Sequence, residues 1–157
     1  MTTITRADVS DLPAILQLQY LAYQSEAALL GSRDIPPLKQ TLGEVTAEYR
    51  SGVILKMTDD TGTIIGSVRA REAAGTVCIG KLMVHPEHRH RGYGTQLLHA
   101  IEDCFPDKRY ELFTSTRSAD NIRLYQRLGY RIFRRQAVSD RLEFVYLEKC
   151  QPQTEQT

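Results

Sequence analysis

Val84-His85-Pro86-Glu87-His88-Arg89-His90-Arg91-Gly92-Tyr93-Gly94-Thr95 is the stretch on which the reading of this chain turns. An apolar run, Ile79-Gly80-Lys81-Leu82-Met83-Val84, leads into it and stops at Pro86. Beyond it Leu97, Leu98, Ile101 and Phe105 recur on one face at helical spacing. The order is strand, short basic loop, and a helix opening at Thr95. A helix N-terminus leaves its first N–H groups without intrahelical partners and carries partial positive charge. Gly92 and Gly94 let main chain approach a bulky anion without Cβ clashes, and Arg89 and Arg91 place full charges at the rim. The segment predicts a cradle for a diphosphate.

Working outward, Thr2 to Arg6 predicts a short strand, and Leu12, Ile15, Leu16, Leu18 and Tyr23 a helix begun by Asp8-Val9-Ser10-Asp11. Gly31 to Pro37 has loop composition, and Thr41 to Tyr49 predicts a helix with Thr41 and Glu44 as a capping box. Val53 to Thr58 and Thr63 to Arg71 flank a hairpin turn at Asp59-Asp60-Thr61-Gly62, and Ala74-Gly75 turns the chain into the strand ending at Val84. After the helix to Phe105, Arg109 to Thr116 predicts a strand. Ser118 caps a helix running to Leu128, which Gly129 stops. Tyr130 to Ala137 and Leu142 to Glu148 form a last pair of strands around Ser139-Asp140. Helices and strands in this order predict a mixed sheet flanked by helices.

Composition narrows the class. The chain has 157 residues, 41% hydrophobic and 25% charged, with a formal net charge of +1. These figures predict one globular domain over residues 1–150 and a polar tail over 151–157. The charge balance argues against nucleic acid and membrane surfaces as partners. The chain shows neither a secretory signal pattern nor a run of bilayer length, so a cytoplasmic protein is expected. Cys78, Cys104 and Cys150 lack metal-type spacing and predict free thiols, with Cys78 and Cys104 as buried fillers. His85, His88 and His90 sit among arginines with only Glu87 as an oxygen ligand, which predicts solvated or phosphate-facing rings and no metal. Arg131, Arg134, Arg135, Asp140, Arg141 and Glu143 predict a solvated hairpin surface.

Arg89-His90-Arg91-Gly92-Tyr93-Gly94 after Val84-His85-Pro86 resembles the (R/Q)-x-x-G-x-(G/A) signature of the GNAT-type N-acetyltransferase superfamily. Asn121 to Tyr130 resembles that family's second cofactor segment, a tyrosine-bearing helix followed by Leu-Gly-Tyr or Leu-Gly-Phe. The resemblance implies an α/β fold of the acyl-CoA N-acyltransferase type, with a mostly antiparallel twisted sheet of about six to seven strands flanked by helices. It implies acetyl-CoA as donor, held in an opening between two parallel strands. Leu82, Met83 and Val84 would line the pantetheine arm with backbone groups. Arg89, His90, Arg91, Gly92, Tyr93 and Gly94 would wrap the diphosphate, with Thr95 at the helix start and Ser118 and Asn121 on the second segment. Tyr125 would lie near the sulfur.

The activity so implied is transfer of an acetyl group to a primary amine by direct attack through a tetrahedral intermediate. An alkylammonium with a pKa of about 10.4 must first lose a proton. A main-chain N–H around Met83 would meet the oxyanion, and Tyr125 would protonate the departing thiolate. The chain departs from the family in two places. Many members carry asparagine seven positions before the tyrosine, where Ser118 stands. No carboxylate occupies Cys78, Ile79, Gly80 or Phe113, which leaves Glu72, Glu111 or water to remove the amine proton. Tyr20, Tyr23, Glu26, Arg33 and Asp34 fall where the family shapes its acceptor side, and the acceptor's identity stays open. Two other readings compete. One is a non-catalytic acyl-CoA sensor or interaction domain. The other is a dinucleotide enzyme, which would want a third glycine where Leu97 stands. Homodimers are common in the family.

Overall fold

Seven strands form one sheet: β1 (Thr3–Arg6), β2 (Val53–Thr58), β3 (Ile64–Ala73), β4 (Thr76–Val84), β5 (Arg109–Ser115), β6 (Arg131–Ala137) and β7 (Glu143–Cys150). Their order is β1-β2-β3-β4-β5-β7-β6, and all neighbours are antiparallel except β4 with β5. The computed structural model describes residues 1–140 and 142–150; Arg141 and the tail 151–157 lie outside the described residues.

Local chemistry explains the connections. Asp59 accepts the N–H groups of Thr61 at 2.9 Å and Thr63 at 3.0 Å, and Gly62 takes φ +83, which closes the β2–β3 hairpin. Helices follow as α1 (Leu12–Ala22), α2 (Gln24–Leu30), α3 (Pro36–Lys39), α4 (Leu42–Ser51), α5 (Tyr93–Asp103) and α6 (Ala119–Arg127). The capping box of α4 forms as expected, with Thr41 Oγ1 accepting from Glu44 N–H at 3.2 Å and Glu44 Oε1 accepting from Thr41 N–H at 3.0 Å.

Two helices appear where none was expected. The chain kinks after Ala22 and continues as α2 until Gly31, at φ +68, ends it. Pro36 then opens the short α3 inside the predicted loop, because proline's fixed φ suits a first helical position.

Each sheet face carries its own core. Leu97, Leu98 and Ile101 of α5 pack with Val77, Ile79, Tyr110, Leu112, Tyr125, Val145 and Leu147. Leu12, Ile15, Leu16 and Leu18 of α1 pack with Val45 of α4, Ile54 and Met83 on the opposite face. A buried carboxylate fastens α5 to the far strands: Glu102 accepts from Tyr130 Oη at 2.7 Å and from Lys149 Nζ at 3.1 Å.

The cysteine expectation needs correction. Cys78 is exposed and Cys104 is half-buried, with its Sγ 3.4 Å from Ala100 O. Strand alternation puts Val77 and Ile79 into the α5-side core, and so turns Cys78 to the other face, where it is exposed.

Candidate active site

β4 and β5 are in register at Thr76↔Arg109, Val77↔Tyr110 and Cys78↔Glu111, and among the described residues their pairing stops there. β4 runs on to Val84 and β5 to Ser115, so the strands splay and β4 keeps a free edge from Ile79 onward. A bulge accompanies the splay. Ser67 faces Met83 while Arg69 faces Gly80, so β4 spends one extra residue there, and Lys81 takes φ +52. The extra residue reverses the alternation. Ahead of it Val77 and Ile79 enter the α5-side core; after it Leu82 and Val84 pack there, and Met83 enters the α1-side core.

The ladder also decides which amides are free. His85 N–H donates to Ile65 O at 2.7 Å, continuing the Ser67↔Met83 and Gly66↔Val84 register. In an antiparallel pair, alternate residues turn both main-chain groups to the partner. Met83 therefore spends its N–H and C=O on β3, as His85 does. The amides of Leu82 and Val84 face the opening between β4 and β5. These two amides flank Met83, the residue around which the sequence placed the donor.

At the mouth of the opening the chain winds through left-handed positions at His90 (φ +65) and Gly92 (φ +80) before α5 begins. α5 starts at Tyr93, ahead of the expected Thr95, because left-handed Gly92 turns the chain into the helix two residues earlier. Its first intrahelical bond joins Gln96 N–H to Gly92 O at 3.2 Å, which leaves the N–H groups of Tyr93, Gly94 and Thr95 before it. No side chain caps this helix start. A Cβ at Gly94 would touch only Leu124 Cδ2 at 3.5 Å, so the first turn of α5 packs against α6. The result is a concave run of main-chain donors suited to an anion.

The basic residues divide their work. Arg89 is half-buried and its Nη2 donates to Ala22 O at 3.0 Å, at the electronegative C-terminus of α1. Arg89 thus ties the cradle to α1, while Arg91 is exposed, with Nη1 3.2 Å from His88 Nδ1. His85 Nδ1 accepts from Glu87 N–H at 3.1 Å, and His90 is exposed. Among the described residues, no cluster of His, Cys, Asp or Glu could hold a metal ion.

Tyr125, in α6, is 6% exposed, and its ring centroid lies 6.1 Å from that of Tyr130. Burial raises its pKa well above the ordinary phenol value, and nearby Tyr23 and Glu26 raise it further. The phenol keeps its proton at neutral pH and can donate it in a hydrogen bond. Ser118 occupies the N-cap position of α6 but does not cap it with its side chain. Its Oγ donates instead to Glu26 Oε1 at 2.5 Å, which also accepts from Asn121 Nδ2 at 3.3 Å. Tyr23 joins this group; burial raises its pKa, the Glu26 charge adds to the rise, and Arg69 opposes it.

Of the other acceptor-side candidates, Tyr20 Oη bonds Gln40 O, while Arg33 and Asp34 are exposed and Asp34 pairs with Lys39. Glu72 pairs with Lys108 at 3.0 Å and Glu111 with Arg109 at 3.3 Å, both toward the closed end of the splay.

Sequence reasoning missed a polar cluster on the α1 face. Arg69 is 5% exposed; its Nη1 reaches Glu48 Oε2 at 2.7 Å and Gln40 Oε1 at 3.0 Å, and its Nη2 reaches Gln19 Oε1 at 2.6 Å. Lys81 stands beside it on the bulge. The available signal was an arginine inside the otherwise apolar Ile64-Ile65-Gly66-Ser67-Val68-Arg69-Ala70.

Comparison with known proteins agrees with this geometry. The profile of the acetyltransferase (GNAT) domain matches residues 50–132, over half of the chain. Mycothiol acetyltransferase of Nocardiopsis dassonvillei is 34% identical over 99 residues, covering 62% of this chain and 30% of that protein. An uncharacterized N-acetyltransferase of Bacillus methanolicus is 34% identical over 77 residues, covering 48% and 62% respectively. The chain thus spans less than two thirds of either relative. The PaiA N-acetyltransferase of Thermoplasma acidophilum, solved with coenzyme A, superposes with a TM-score of 0.80 over 96% of this chain and 99% of that one, at 17% identity. The ribosomal-protein-S18-alanine N-acetyltransferase of Escherichia coli gives 0.76 over 96% and 94%, at 16% identity. At such identity the likeness is one of fold.

Proposed function

We propose, from the premise that this chain belongs to the acetyltransferase (GNAT) domain family, that it moves an acetyl group from acetyl-CoA to a primary amine. One observation carries the reading: the free edge of β4 beyond Cys78↔Glu111 leads directly to an uncapped helix start behind Gly92. A strand-like pantetheine arm needs the first feature and a diphosphate needs the second. A solved relative of the same fold that holds coenzyme A supports the match.

Acetyl-CoA supplies an activated acyl carbon and a thiolate leaving group. The protein supplies the rest. Leu82 N–H, aimed into the opening, donates to the charge that develops on the acyl oxygen. Tyr125 Oη donates a hydrogen bond toward the departing sulfur and so stabilises the thiolate; its raised pKa keeps the phenol neutral for that role while making it a weaker acid. The main-chain groups of Leu82 and Val84 hold the arm, and Tyr93, Gly94 and Thr95 N–H hold the diphosphate, with Arg91 adding charge. Glu72 and Glu111 are both committed to ion pairs, which favours water as the route for the amine proton. Coenzyme A release from acetyl-CoA, followed across an amine panel, tests the activity. Tight coenzyme A binding with no turnover on any amine would replace the enzyme with a sensor.

A further inference from the structure

Arg69 and Gly80 are cross-strand partners, so the Arg69 side chain and the bare position at Gly80 share a sheet face. A Cβ at Gly80 would meet no atom within 4 Å, which leaves an open space over β4. Arg69, 5% exposed, spends its two terminal nitrogens on Gln19, Gln40 and Glu48, yet its Nε is buried without a hydrogen-bond partner among the described residues. Lys81 is half-buried beside it. Burial lowers its pKa, with the nearby Glu48 opposing that fall and Arg69 adding to it. Lys81 makes no ion pair or hydrogen bond with any described residue.

The charges do not balance. Glu48 already has both oxygens engaged, by Arg69 at 2.7 Å and Gln40 at 2.9 Å. Glu26, the other carboxylate near this group, is held by Ser118 and Asn121, so Lys81 is left half-buried with no carboxylate in direct contact. Burying a cation costs desolvation free energy that only an anion with good geometry offsets. A single surplus charge matches a carboxylate better than a phosphate dianion. The place matters as well, because Lys81 precedes Leu82, whose amide faces the expected acyl oxygen.

We propose that the acceptor is an amine that also carries a carboxylate, and that Lys81 Nζ binds this carboxylate in the space over Gly80, with the buried Arg69 guanidinium behind it adding positive charge. Because Lys81 precedes Leu82 in the chain, the simplest acceptors of this kind, α- and β-amino acids, serve as probes. The inference rests on the acetyl-transfer reading for the amine, while the anion site stands on its own geometry.

The test compares L-methionine, L-phenylalanine and β-alanine with their carboxamides. Binding to the coenzyme A-loaded protein is measured by calorimetry, and turnover is measured with acetyl-CoA. The expected result is at least tenfold tighter binding, and tenfold higher kcat/KM, for one or more of the acids over its amide. Lys81→Asn, which removes the charge while tolerating positive φ, abolishes the preference mainly through KM. Equal affinity for acids and amides, or no affinity for either, overturns the proposal even if other amines are acetylated. So does a preference that survives in Lys81→Asn. Acid-selective binding without turnover would keep the anion site and discard the transferase.

Discussion

Replacing Gly92 by alanine probes the cradle with a cost that can be worked from its geometry. Gly92 holds φ +80 and ψ 9 at the start of α5, and a Cβ built there meets no atom within 4 Å. Steric overlap therefore contributes nothing, and the cost is that of a left-handed alanine, about 1–2 kcal/mol. If the loop keeps its shape, Tm falls by about 2–8 °C for a chain of this size. If the loop relaxes, stability recovers and coenzyme A affinity falls instead, by roughly 5- to 30-fold. Calorimetric Kd and thermal melts of one preparation capture both, and their summed loss should lie near the same total. Gly92→Asn should recover most of it, since asparagine tolerates the left-handed region. Gly94→Ala is the contrast: its φ is not positive and its Cβ makes an ordinary 3.5 Å contact with Leu124, so its loss falls on coenzyme A affinity with little change in Tm. A Gly92→Ala protein with wild-type Tm and wild-type affinity would refute the cradle geometry.

Three further outcomes are expected. Tyr125→Phe should lower kcat about a hundredfold while leaving coenzyme A Kd within about twofold, because only the donated proton is lost; stopped-flow thiol release would show it, and an unchanged kcat removes Tyr125 from the chemistry. Lys149→Met should destabilise the fold by about 3 kcal/mol, because Glu102, 4% exposed, would lose its cationic partner and keep Tyr130 as its remaining side-chain donor; urea midpoints measure this, and a loss below about 1 kcal/mol would contradict the buried pair. Acid should weaken the protein through Glu148 and Asp11. Their pKa values are lowered chiefly by hydrogen bonds from Arg109 and Lys56, so the folded carboxyls titrate below the unfolded ones. The stabilisation is then complete at neutral pH and is lost as pH falls below about 4. Glu148→Gln should flatten the acid limb of a stability-versus-pH curve, and a limb unchanged in that variant speaks against the assignment.

What could be read in advance was local. Pro86, the paired glycines and the apolar face from Leu97 to Ile101 lie within a few turns of one another, and each acts through its own backbone or its near neighbours. The Thr41–Glu44 box and the Asp59 turn were legible for the same reason. The α1–α2 kink was not, because Tyr23 to Leu30 continues a helical composition and only packing against the sheet shows where the axis bends. The bulge at Lys81 depends on the register between β3 and β4, which the sequence of β4 alone does not carry. It turned the amides of Leu82 and Val84, on either side of Met83, toward the opening and set a cation beside it. Ser118 looked like a cap until Glu26, 92 positions away in the chain, arrived to take its hydroxyl.

A crystal structure with bound acetyl-CoA is the most direct measurement. The diphosphate should sit on the amides of Tyr93, Gly94 and Thr95, the arm should add to the free edge of β4 through Leu82 and Val84, and Tyr125 Oη should lie within hydrogen-bonding distance of the sulfur. Density for the nucleotide anywhere else, or a sulfur out of reach of that phenol, would contradict the assignment.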